Sequence, residues 1–232
     1  MMAQYIGEFV GTLLLVLLGD GVCANVSLNK SGFQGAGPVI ITIGWGLAVA
    51  LPAAAFGGIC AASYNPALTI ALCVDGTLGW DICAGYIIAE MLGGFCGAIL
   101  VWITFKPQFD ASAELGDGLR GVFCCSPGVR NLPYNCLQEA VATFWLVFAI
   151  KACPAAIGSA AVFMIIMSVG MSFGGMTGYA LNPARDTAPR IAFALLPIKG
   201  KTDPDWGYAW VPIVGPIIGA IVAVLLYGAL PL

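Results

Sequence analysis

The tripeptide Asn-Pro-Ala occurs twice, at Asn65-Pro66-Ala67 and again at Asn182-Pro183-Ala184, where it runs on into Arg185-Asp186. Asparagine is among the best helix N-cap residues and proline is favoured at the first helical position, so each copy reads as the start of a helix. Both helices are short. The first runs from Pro66 to about Val74, ahead of Asp75-Gly76, and the second from Pro183 to about Leu196, ahead of Pro197. Crossing a bilayer takes about 20 residues, so neither spans one alone. A single Asn-Pro is an ordinary turn or cap. Two copies set symmetrically between apolar stretches instead make two half-helices, each with an exposed positive end, that frame a pore or binding site at mid-membrane.

Composition supplies the solvent. Of 232 residues, 60% are hydrophobic and 9% charged, against roughly 25% charge in a soluble domain, so the chain reads as an integral membrane protein. The net charge of −3 says little, because the charges are few and several fall inside apolar spans, and nucleic acid is not an expected partner. The nine cysteines form no Cys-x-x-Cys pair and no histidine is present. Most of these cysteines sit singly in apolar runs, where Cys behaves as a small hydrophobe, so neither a metal site nor a disulfide framework is expected. Only Cys124-Cys125, in a polar connection, is placed to be reactive. No Lys or Arg precedes the first apolar run, which therefore reads as a retained span rather than a cleaved signal.

Six stretches are long enough to span: about Tyr5 to Val26, Pro38 to Phe56, Trp80 to Phe105, Tyr134 to Ala156, Ile157 to Phe173 and Tyr208 to Leu230. Lys151, Pro154 and Gly158 punctuate a tight turn between the fourth and fifth. Polar connections cover Ser27 to Gly37, Lys106 to Pro133 and Lys199 to Trp206, which leaves a single transmembrane domain over residues 1–232. Its halves, about 1–105 and 134–232, repeat. Glu8-x-Val10-x-Thr12-x-x-Leu15-Val16 recurs as Glu139-x-Val141-x-Thr143-x-x-Leu146-Val147, and Gly93-x-x-x-Gly97-Ala98-Ile99 recurs as Gly215-x-x-x-Gly219-Ala220-Ile221. With three spans per half, the second half starts on the opposite membrane face, so the repeat is inverted and the half-helices enter from opposite sides to meet. The expected fold is an all-α membrane protein of six transmembrane helices plus two re-entrant half-helices. Gly7-x-x-x-Gly11, Gly93-x-x-x-Gly97 and Gly215-x-x-x-Gly219 are expected to let spans approach closely.

Several residues carry chemistry on their own terms. Asn65 and Asn182, capping facing half-helices, would point amide donors into a lumen while the positive helix ends repel cations. Arg185 is costly facing lipid and should face water, where its fork of donors can bind hydroxyl oxygens. Asp186 is one helical turn from Arg190 and pairs with it rather than with its neighbour Arg185. Ala62-Ser63-Tyr64 and Tyr179-Ala180-Leu181 are non-helical approaches to each Asn, and irregular backbone at this depth is tolerated where carbonyls line a wet cavity. Glu8 and Glu139 are intramembrane acids, open to a proton path or to anchoring the re-entrant loops. Asp20 has no evident partner and is placed at an outer vestibule; Glu90 has none either. No nucleophile-base pair, phosphate loop or metal cluster is visible, so no enzyme is expected.

The paired Asn-Pro-Ala, the glutamates of spans one and four, and the stretch from Gly178 through Asn182-Pro183-Ala184-Arg185-Asp186 resemble the major intrinsic protein family of aquaporins and glycerol facilitators, most of all its glycerol-conducting branch. The resemblance covers the whole chain. It implies a passive channel for glycerol and similar small uncharged solutes, with some water permeability, that excludes ions and protons. It also implies a homotetramer with one pore per subunit in the lipid of a bacterial plasma membrane, with no cofactor. The constriction would combine Arg185 with Trp45, Gly170 and Tyr179, where strict water channels carry His in place of Gly170. Aromatic faces of Trp45 and Tyr179 would then pack a polyol's CH groups. Glu8 and Glu139 would brace the re-entrant loops. Ser63 stands where the family usually has His, and Glu90 where it commonly has a neutral amide. In the family's inward-terminus topology most loop cations, such as Lys30, Lys106, Arg120, Arg130, Lys199 and Lys201, lie outside, against the positive-inside rule. The alternatives are a water-selective aquaporin and an ion-coupled secondary transporter, which would need carboxylates at its centre.

Overall fold

The structure is a computed structural model that describes residues 1–231. It is helical, with no strand among the described residues. In chain order the helices are α1 (Met2–Ser27), α2 (Pro38–Phe56), α3 (Pro66–Val74), α4 (Trp80–Thr104), α5 (Lys106–Asp110), α6 (Asp117–Phe123), α7 (Leu132–Ala152), α8 (Ser159–Thr177), α9 (Pro183–Leu195) and α10 (Val211–Ala229). Six of them are 19 residues or longer, and five of those six are apolar enough throughout to cross a membrane. The sixth, α7, is the more polar one, because Asn135, Gln138, Glu139 and Lys151 interrupt it.

The two halves pack in one pattern. α1 lies along α4 as α7 lies along α10, while α1, α2 and α8 close the side between the halves. Glycine makes the paired helices approach backbone to backbone. A Cβ on Gly97 would stand 2.6 Å from the Leu13 carbonyl oxygen, and one on Gly215 would stand 2.7 Å from that of Cys136. Gly7 and Gly11 differ from the expectation. They face Cys60 and the ring of Tyr64, so their small size seats the first re-entrant loop rather than another span. Each half-helix crosses over: α3 rests on α10 and α9 on α4.

Boundaries depart from the sequence reading where turns compete. The fourth span ends at Ala152 and not Ala156, since Pro154 and Gly158 (φ 57°) enclose a 3-10 turn over Ala155–Ile157, and α8 runs on to Thr177. The connection from Lys106 to Pro133 is not merely a polar loop. It holds α5, α6 and a 3-10 turn, and it buries Phe109, Leu119, Val122 and Phe123 against α1 and α9. Four of the loop cations are matched locally. Lys106 pairs with Asp110, Arg120 with Asp117 and Arg130 with Asp205, while Lys201 donates to the carbonyls of Phe193, Ala194 and Leu196 at the C-terminus of α9.

Candidate solute-conducting site

Both approaches to the Asn-Pro-Ala copies adopt the same uncommon backbone. Ala62 and Tyr64 in the first half have φ of 52° and 49°, and Tyr179 and Leu181 in the second have 42° and 56°. Non-glycine residues in this left-handed region cost of order 1–3 kcal/mol each, so something must hold them there. The holders are the two buried glutamates. Glu8 accepts the N–H groups of Ser63 (3.2 Å) and Tyr64 (2.8 Å), and Glu139 accepts those of Ala180 (3.0 Å) and Leu181 (2.9 Å). Convergent N–H groups of alternately handed residues form an anion-binding nest, and each carboxylate fills one. Thr177 adds a hydroxyl bond to Glu139 (2.5 Å). The matching position in the first half is Cys60, whose thiol donates to the Phe56 carbonyl, so the repeat gave no sign of Thr177.

Each asparagine caps its own half-helix and ties it to the other. Asn65 Oδ1 accepts from Ala67 N–H (3.0 Å), and Asn182 Oδ1 accepts from the N–H groups of Ala184 (2.9 Å) and Arg185 (3.2 Å). The amide of Asn65 donates to the Leu181 carbonyl (2.9 Å), and that of Asn182 donates to the Tyr64 carbonyl (2.7 Å). A carboxamide nitrogen carries two hydrogens, so each keeps one donor beyond this cross-brace. Pro66, Ala67, Pro183 and Ala184 are buried in the first turns behind them.

Two cavities lie along this side of the half-helices, and both asparagines line the second. An upper one of about 590 Å³, on the α6 side, is lined by Cys23, Thr42, Trp45, Gly170, Tyr179 and Arg185 among others. A lower one of about 350 Å³ is lined by Ala62, Ser63, Asn65, Ala180, Leu181 and Asn182, and again by Trp45, Tyr179 and Arg185. The cavities therefore meet at a neck of one cation and two aromatics. Tyr64 lines neither; its ring is fully buried and its hydroxyl donates to the Pro52 carbonyl (3.0 Å).

At the neck the Arg185 guanidinium carbon lies 4.0 Å from the centre of the Trp45 ring, so one face of the indole carries the cation instead of being bare. Trp45 donates its N–H to the Cys23 sulfur (3.4 Å). Gly170 belongs to the upper cavity, but the room left by its missing side chain is taken. A Cβ there would lie 2.7 Å from Thr42 Cγ2 and 3.1 Å from Tyr179 Cζ. The neck is thus bounded by Tyr179 and Thr42 packed onto a glycine, narrower than an open slot.

Asp186 and Arg190 pair as their spacing requires, with Arg190 Nη2 2.8 Å from Asp186 Oδ1. Arg190 also donates to the carbonyls of Cys125 (2.9 Å), Pro204 (2.5 Å) and Asp205 (3.2 Å), and the other oxygen of Asp186 accepts the Cys125 N–H (2.7 Å). One buried pair so fastens two loops to α9.

Three expectations need correction, and the part played by Ser63 becomes visible. Asp20 does not line a vestibule: it is fully buried, with Oδ1 3.9 Å from Arg185 Nη1. Glu90 has a partner, since Thr69 of α3 donates to it at 2.6 Å. The Ser63 hydroxyl makes no hydrogen bond with the described residues, so the backbone N–H and not the side chain secures that loop. Cys124 and Cys125 are 2% and 6% exposed, folded beneath α6, and are not surface thiols.

Long helices enclosing two re-entrant half-helices, with two cavities meeting at a neck beside them, define a membrane channel. The sequence profile described as Major intrinsic protein matches residues 1–227, and the chain belongs to that family. It is 45% identical over 232 residues to the glycerol uptake facilitator protein of Streptococcus pneumoniae, covering 98% of this chain and 99% of the relative. It is 43% identical over 233 residues to glycerol uptake facilitator protein 3 of Lactiplantibacillus plantarum, covering 98% and 97%. Among solved structures, the aquaglyceroporin from Plasmodium falciparum superposes with a TM-score of 0.85 at 28% identity, covering 97% of this chain and 95% of that one.

Proposed function

We propose that the chain is a passive channel for glycerol and similar small uncharged solutes, with some water permeability. The observation that carries this reading is the neck shared by the two cavities, where Trp45, Tyr179 and Arg185 stand together. A polyol shedding water there lays its CH groups on aromatic surface while Arg185 and the carbonyls of Ala62, Ser63 and Ala180 replace the lost hydrogen bonds. Next it meets the remaining amide donors of Asn65 and Asn182. These bond an oxygen from both sides, and the two positive helix ends repel a hydrated proton or metal cation. Trp45, Gly170, Tyr179 and Arg185 act as the selectivity filter, and the similarity to glycerol facilitators supports glycerol as the solute.

Glu8 and Glu139 support a channel over a coupled carrier, because the N–H groups of the re-entrant loops occupy their oxygens. The protein transforms nothing chemically. It assembles as a homotetramer in a bacterial plasma membrane, its exposed Leu47, Leu51, Leu92, Trp145 and Leu225 meeting lipid or neighbouring subunits. The test is stopped-flow light scattering on proteoliposomes with glycerol, urea and an osmotic water jump. Glycerol flux is expected to rise linearly with concentration and to ignore ion gradients. Saturation with loss of flux on gradient collapse would establish a carrier, and water flux without glycerol flux a strict water channel.

A further inference from the structure

Asp20 is a buried acid that this pathway does not use. It lies in α1, fully enclosed, and neither carboxylate oxygen accepts a hydrogen bond from a described residue. Facing it at 3.9 Å is Nη1 of Arg185, an atom likewise without a hydrogen-bond partner. The two unpartnered groups face each other just beyond hydrogen-bond reach. The neighbouring acid, Asp186, is not free to serve, since Arg190 and the Cys125 N–H occupy it. The same stretch of α1 also shapes the neck: Gly19 admits the Trp45 ring, which a Cβ would overlap, and Cys23 accepts the Trp45 N–H. A carboxylate enclosed without donors is unfavourable by itself. Opposite an enclosed guanidinium it is a counter-charge, and the low local dielectric leaves their interaction only weakly screened.

We propose that Asp20 is the counter-ion of Arg185 and sets the charge selectivity of the neck. Resting on the reading of Arg185 as a filter residue, this makes Asp20 a positioning residue that acts on solutes through the guanidinium. Uncompensated, Arg185 together with two positive helix ends would concentrate small anions at the narrowest point. With Asp20 behind it, the guanidinium keeps its fork of donors for hydroxyl oxygens while its net charge is cancelled. Cations are still turned back further in, at the tips of α3 and α9.

The experiment measures formate conductance across planar bilayers and glycerol flux in proteoliposomes from the same protein preparation. Asp20→Asn keeps the shape and removes the charge, and it is expected to raise the formate-to-glycerol permeability ratio by about tenfold. Asp20→Glu, which keeps the charge, should hold the ratio near the wild-type value, and Asp20→Asn added to Arg185→Gln should give no further rise. An unchanged ratio in Asp20→Asn, or an equal rise without Arg185, overturns the proposal. A wild-type protein that carries no glycerol would instead overturn the channel reading, so the two failures are distinct.

Discussion

Replacing Glu139 by Ala removes the acceptor for three buried donors at once: the Thr177 hydroxyl and the N–H groups of Ala180 and Leu181. Leaving a buried donor unsatisfied costs about 1–3 kcal/mol, so the three together give about 3–6 kcal/mol after local relaxation. Tyr179 and Leu181 are also released from a left-handed backbone that nothing else in the loop enforces. The loop relaxes, the Leu181 carbonyl turns away from the Asn65 amide, and the neck loses Tyr179. Glu8→Ala removes only two such acceptor contacts, to Ser63 and Tyr64, and should cost about 2–4 kcal/mol on the same scale. The expected order of apparent thermal midpoints in detergent is therefore wild type, then Glu8→Ala, then Glu139→Ala, with glycerol and water flux both falling at least tenfold in the last. Wild-type flux and midpoint in Glu139→Ala would refute the reasoning, and so would a reversed order of the two variants.

Other outcomes follow from neighbouring contacts. Gly170→Ala should cut glycerol flux more than water flux, and Gly170→His more again, because the first added carbon already meets Thr42 Cγ2 at 2.7 Å; paired flux measurements showing equal losses would contradict this filter. Arg190→Lys keeps the charge but loses the fork that reaches Cys125, Pro204 and Asp205, and should lower stability by about 2–4 kcal/mol in a thermal melt. The Arg130 guanidinium holds the Asp205 carboxyl below its ordinary pKa of 3.8, at 2.7 Å. A lowered folded-state value stabilises the fold above the unfolded pKa, and that contribution disappears as pH falls through the folded value. Asp205→Asn should accordingly lower the midpoint slightly at neutral pH, where the pair is charged, and converge with wild type as pH falls below about 4, leaving a flatter acid-side decline.

How much of this was legible beforehand depends on the range of the interaction. The N-caps of α3 and α9, the Asp186–Arg190 pair and the ends of α2 are set within a few residues, and the sequence reading placed them correctly. Duplication extended that range, since Glu8 and Glu139 were conspicuous through their matching contexts. What had no local or repeated signature was missed. Asp20 meets Arg185 only because α1 packs beside the start of α9, and Thr177 has no polar counterpart in the first half. Polar composition hid α6 because its apolar residues, Leu119, Val122 and Phe123, form a one-sided stripe too short to register as a span. Gly7 and Gly11 followed the helix-packing spacing yet receive a loop, a choice that depends on how Tyr64 is turned.

The crossing-over of the half-helices bears on how such a molecule is made. Leu68, Ala71 and Leu72 of α3 are covered by Ala220, Ala223 and Val224 of α10, a helix synthesised well over a hundred residues later. The first half thus enters the membrane with its short helix unseated, whereas α9 emerges to find α4 already waiting. Biogenesis therefore seats α3 only once α10 has emerged, and a nascent chain halted before Val211 leaves that apolar flank of α3 uncovered.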